Sequence, residues 1–164
     1  MGDPERDPQP DRFVYSPETD PALFDGVLSK RIVAFIIDAI LVVALMIPVA
    51  LLVLVLGFVT FGFGWALFTP LFAIVALTYI ALTLGGRGSA TPGMRVTGVE
   101  VRTWSGQRMF PVLAILHAVL FWLSIAFLTP LVLVIGLFTR RKQLLHDLLL
   151  GVVALNAGAL ARRE

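Results

Sequence analysis

Asp38 lies inside an apolar run extending from Ile32 to Leu56, and Arg31 stands at the mouth of that run. At about 1.5 Å of rise per residue, roughly 20 residues cross a hydrocarbon layer of about 30 Å, so this stretch can cross with length to spare for tilt. A carboxylate within such a segment costs roughly 2.5 to 3.5 kcal/mol on insertion scales. The chain must therefore supply Asp38 with a partner or a use. That requirement confines the fold to a membrane protein whose helices gather around a polar site.

Composition agrees. Of 164 residues, 58% are hydrophobic and 15% charged, and the mean hydropathy is +0.91, far from a soluble domain. The absence of cysteine excludes disulfides, thiolate metal sites and cysteine nucleophiles. The leader contains Asp3, Glu5, Asp7, Asp11, Glu18, Asp20 and Asp25, whereas a secretory signal would have a basic start and a small-residue cleavage site. The first span is accordingly expected to stay in the mature protein as its own insertion signal. Residues 1–28, rich in proline and acids, are expected to form a disordered acidic tail. Residues 29–156 would form the membrane domain and residues 157–164 a basic end with Arg162 and Arg163.

The expected class is an all-α integral membrane protein. Two full transmembrane helices are predicted, over about 32–56, with a kink at Pro48, and about 65–84. A turn rich in glycine and aromatic residues, Gly57 to Trp65, separates them. Between Gly85 and Pro111, Arg87, Arg95, Arg102 and Arg108 face one acid, Glu100, and Val99 to Thr103 alternates as a short strand. Residues 111–138 are again apolar, interrupted by His117, Ser124, Thr129 and Pro130, and lead to Arg140, Arg141 and Lys142. By the positive-inside rule the N-terminus and the arginine-rich loop are cytoplasmic, but a complete third crossing would carry the last basic cluster outward. The segment is therefore either a bent hairpin turning near Pro130 or a single tilted span. If it returns, Val152, Val153 and Leu155 can pair with the Val99 strand as a small cytoplasmic β-pair.

Four signatures occur in order: Arg31 and Asp38 in KRIVAFIIDAIL, Thr91 to Arg95 in ATPGMRVTGVEV, a turn at Gly106, and His146-Asp147 in LLHDLLLGVV. Together they resemble the RDD family of small bacterial membrane proteins, over about Lys30 to Asn156. On that resemblance the name residues are Arg31, Asp38 and Asp147. The resemblance implies a location in the bacterial plasma membrane, multi-pass, and suggests transport of a ligand that it does not identify. Two departures stand out: Met94 where members often have lysine, and Gly151-Val152 where a Gly-Thr is common.

Arg31 and Asp38 are seven positions apart and share a helix face, with Asp38 about 10 Å along the axis. Either Asp38 is an exchangeable carboxylate for a cation or proton, or it clamps a neighbouring helix or the loop arginines while Arg31 snorkels to headgroups. Asp147 could reach Arg31 or Arg95, as a clamp that sets register or, through His146, as part of a proton relay. Gly88 to Arg95 lacks the lysine and hydroxyl of a phosphate loop. His117 and His146 stand 29 positions apart with no cysteine near, so no metal site is expected. No enzyme signature or cofactor motif is present. The loop arginines suit a bilayer with anionic headgroups and not nucleic acid. The expected function is a small transporter or cation/proton exchange component, acting as a homo-oligomer or with a membrane partner because so few spans cannot enclose a pathway. The alternative is a scaffold in which the Arg/Asp network is architectural.

Overall fold

The computed structural model describes residues 14–138 and 144–163. It is mostly helical, with helices α1 (Val27–Val59), α2 (Leu71–Thr83), α3 (Pro92–Thr97), α4 (Pro111–Phe138), α5 (Leu145–Leu150) and α6 (Ala157–Arg163), and strands β1 (Val99–Thr103) and β2 (Val152–Asn156). Short 3-10 helices cover Pro21–Leu23 and Phe63–Phe68.

Helix α1 has 33 residues and contains Pro48 without ending there. It starts at Gly26, whose φ of 63° is left-handed, a conformation glycine adopts at no steric cost. Ile36, Ile40, Ile47, Leu51 and Val55 are all more than half exposed. Such a surface has no aqueous solution, and α1 is long and apolar enough to cross a bilayer.

The second span differs from expectation. Trp65 lies within a 3-10 helix, and α2 begins only at Leu71, after Pro70, and runs for 13 residues. Thr69 keeps helical backbone, but Pro70 departs from it at φ −88° and ψ 4° and has no N–H to continue the ladder, and Trp65 folds back onto α1. Its indole fills the space a side chain at Gly57 would need, and its Nε1–H donates to the Leu54 carbonyl at 3.3 Å. A helix of 13 residues covers about 20 Å, which is short of a full crossing.

The predicted strand pair is present. β1 and β2 are antiparallel, from Val99 opposite Asn156 to Thr103 opposite Val152. One face covers Val27, Leu84, Met109 and Ala114, and the departure Met94 packs against this same cluster. The other face, through Val153 and Leu155, covers Tyr15, Leu23, Phe24 and Leu160. The tail boundary must therefore move. Residues 14–26 are packed, with the Val14 amide bonded to the Trp104 carbonyl at 3.1 Å, because Tyr15, Leu23 and Phe24 supply apolar anchors that the acidic average concealed. The leader's first 13 residues, and Arg140 to Lys142, lie outside the described residues.

Helix α4 is one helix of 28 residues and is not divided into two limbs at Pro130. A proline inside a helix removes one hydrogen bond, and α4, like α1 at Pro48, continues through it. The chain is nevertheless back beside the start of α4 by His146, whose ring lies 4.7 Å from that of His117.

Candidate functional site

One stripe of α1 organises the polar centre. Arg31, Ala34 and Asp38 recur at helical spacing on the same face. Ala34 is 1% exposed, and its carbonyl oxygen occupies the place a Cβ on Gly93 would take. Backbone therefore meets backbone where α3 abuts α1, and only glycine at 93 permits that approach.

Asp38 is gripped by three donors. Its Oδ1 accepts the Tyr79 hydroxyl at 2.6 Å and the Gly93 amide at 2.8 Å, and its Oδ2 accepts the Thr91 hydroxyl at 2.5 Å. Thr91 is also the N-cap of α3, its Oγ1 accepting the Met94 amide at 3.2 Å. Thr91 thereby couples the start of α3 to a carboxylate in α1, and Tyr79 couples α2 to the same group. The carboxylate clamps a neighbouring helix and the loop backbone, not the loop arginines.

Asp147 forms the second centre. Its Oδ2 accepts Arg31 Nη1 at 2.5 Å and the Leu144 amide at 3.0 Å, while Oδ1 accepts Arg31 Nη2 at 3.1 Å. The side chains are 1% and 9% exposed, so Arg31 does not snorkel to headgroups. Burial alone would raise the Asp147 pKa, but the Arg31 charge and hydrogen bonds outweigh it and hold the carboxyl well below the usual range.

Two imidazoles complete this centre. His146 is fully buried and His117 is 7% exposed, and their rings meet edge to face with Phe121 on the far side of His146. His146 Nε2 lies 3.4 Å and His117 Nδ1 3.7 Å from Asp147 Oδ1, yet neither nitrogen makes a hydrogen bond among the described residues. Burial drives the His146 pKa down to about 3 against the pull of Asp147, so its ring is neutral at physiological pH.

Of the five residues singled out from sequence, Arg31, His146 and Asp147 meet in one centre, and Asp38 forms the other. Arg95 is exposed and lies against Gly88; it makes no ion pair with either aspartate among the described residues, although its charge reaches Tyr79 beside Asp38. Two other loop arginines are held by the fold, Arg102 through Glu100 at 2.7 Å and Arg108 through the Arg87 carbonyl at 3.0 Å. Sequence reasoning missed Tyr79, Thr91 and Gly93 as ligands of Asp38, and His117 as a neighbour of Asp147. The expectation that no metal-ligating set exists also needs correction, because His117, His146 and Asp147 bring one donor atom each within 4.8 Å of one another. Spacing along the chain had hidden a proximity that the return from α4 creates.

An exposed apolar helix that meets distant segments at two carboxylate centres, one on its own Asp38 and one joining its Arg31 to Asp147 of α5, defines a small helical membrane-associated protein. The model of the RDD family matches residues 26–151, and the chain belongs to that family. Comparisons with curated proteins and with solved structures gave no match.

Proposed function

We propose that this chain is a membrane scaffold or assembly module, inserted in a multi-pass arrangement with its N-terminus cytoplasmic, in which the Arg31, Asp38 and Asp147 network is architectural. The observation that carries this reading is that the oxygens of both aspartates are occupied by donors from the chain itself. Asp38, with donors on both oxygens, would have to shed a ligand before taking a passing ion, and charge-assisted hydrogen bonds are each about twice as strong as neutral ones. The surface left to a partner, a second copy or another membrane protein, is the exposed apolar length of α1. Asp38→Asn and Asp147→Asn are expected to lower membrane yield and broaden the gel-filtration profile in detergent. Two variants that purify and assemble as the parent does would defeat the scaffold reading.

The proximity of α5 to the start of α4, with the His146 and His117 rings 4.7 Å apart, supports placing α5 and the start of α4 on one side of the bilayer, together with the arginine-rich loop on the cytoplasmic side. Because the chain has no cysteine, single cysteines placed at 62, 106 and 141 would report sidedness to an impermeant maleimide. Labelling of 141 together with 62 and not with 106 would overturn this arrangement.

A second reading, a small transporter or cation/proton exchange component, draws on one observation: the three donors to Asp38 are two hydroxyls and an amide, all uncharged. The carboxylate charge is then available to a monovalent cation or a proton. On that reading Asp38→Asn abolishes pH-dependent cation flux in proteoliposomes while insertion stays intact; absence of flux from the parent chain removes it.

A further inference from the structure

The cluster beside Arg31 has a property the clamp does not use. His117 and His146 each turn a nitrogen toward Asp147 Oδ1, at 3.7 and 3.4 Å, without hydrogen bonding to it. Buried imidazole nitrogens with no hydrogen-bond partner among the described residues, beside a carboxylate, are poorly accounted for by packing, since buried polar groups ordinarily find partners. In a tetrahedral site with metal bonds of about 2.0 to 2.1 Å, neighbouring ligand atoms stand about 3.3 Å apart. The two nitrogen-to-oxygen separations are close to that edge, and all three donor atoms lie within 4.8 Å of one another.

We propose that His117 Nδ1, His146 Nε2 and Asp147 Oδ1 form a binding site for a divalent transition-metal ion of the zinc class. Two imidazoles and one carboxylate suit zinc, cobalt or nickel, whereas magnesium and calcium prefer all-oxygen shells. The three protein ligands leave a fourth position for water. Asp147 is prepared for single-oxygen coordination. Oδ2 is the oxygen bound by Leu144 and by the shorter Arg31 contact, while Oδ1 carries only the longer one at 3.1 Å. Arg31 would stay on Oδ2 as an outer-shell partner that fixes the carboxylate, the role such hydrogen bonds play around metal ligands. Because α4 and α5 contribute the donors, an ion would fasten the C-terminal segment to the start of α4. This inference does not depend on the scaffold reading, and neither fails with the other.

The chain's two histidines are both in this cluster and it has no cysteine, so a single nitrogen-ligated site is the one arrangement available to it. The test uses the full chain, purified in detergent with a tag free of histidine, stripped with a chelator and then loaded with zinc chloride alone. Elemental analysis after dialysis is expected to give about one zinc per chain. X-ray absorption at the zinc edge is expected to give two imidazole scatterers, a reading that needs no variant. His117→Gln and His146→Gln are each expected to weaken zinc binding at least about tenfold. Uptake well below one equivalent by the parent chain, an all-oxygen shell, or full retention by well-folded variants would each overturn the site.

Discussion

Replacing Asp147 by asparagine removes one charge with almost no change of shape, and the structure sets how much that should cost. The carboxylate is 1% exposed and its partner Arg31 9%, so neither group regains water when the other is neutralised. Breaking a buried pair from one side typically costs about 3–5 kcal/mol, because the remaining charge is left uncompensated. Arg31→Met should cost as much by stranding the carboxylate. The double variant Arg31→Met with Asp147→Asn strands no charge and is expected to lie within about 2 kcal/mol of the parent. The singles would then sum to about 6–10 kcal/mol and exceed the double by about 4 kcal/mol or more, the signature of direct coupling. Unfolding in mixed micelles of dodecylmaltoside and dodecyl sulfate, followed by the fluorescence of the three tryptophans, supplies all four corners of the cycle. Singles below about 1 kcal/mol with an additive double would mean a solvent-screened surface pair, and the reasoning from burial would be wrong.

Three further outcomes are expected. Tyr79→Phe removes one donor from Asp38 and should cost about 1.5–3 kcal/mol, the range for hydrogen bonds to charged groups; Asp38→Asn together with Tyr79→Phe should be less than additive in the same assay. Gly93→Ala drives a methyl into the Ala34 carbonyl and to 2.9 Å from Asp38 Oδ1, so α3 must move off α1. A loss of about 1–3 kcal/mol and faster proteolysis of the 85–110 loop should follow, and an unaltered digestion pattern would argue against the close approach. In chelator-treated protein, stability should fall as pH drops from about 6.5 towards 3. His146 is held neutral in the fold, with a pKa of about 3, while the unfolded chain takes up its proton near 6.5. The contribution is fully present above 6.5 and is lost at up to about 1.4 kcal/mol per pH unit below it; His146→Leu should flatten that slope.

The elements legible in the sequence are those whose signal is local. The run around Asp38 announced a helix long and apolar enough to cross a bilayer, the alternation at Val99 to Thr103 announced β1, and turn residues placed its end. For Asp147 the sequence offered Arg31 or Arg95 as partner, and the fold selects Arg31. What escaped was set by contact across the chain. Trp65 reads as the start of a span until Gly57 is seen to receive it. Tyr15 and Phe24 read as tail until β2 covers them. Tyr79 and Thr91 read as polar interruptions of apolar stretches until Asp38 stands between them. The two histidines are unremarkable at 29 positions and adjacent in space, and no periodicity in the sequence encodes that return.

Arg31 enters at the start of α1, whereas the carboxylate that neutralises it lies 116 residues further along. At ribosomal rates of about 5–20 residues per second, that separation is about 6–23 s of synthesis. For that interval Arg31 lacks the carboxylate that neutralises it, and β1, complete at Thr103, waits for β2 to begin at Val152. Closure of the pair is therefore among the last contacts that the chain can make as it is synthesised.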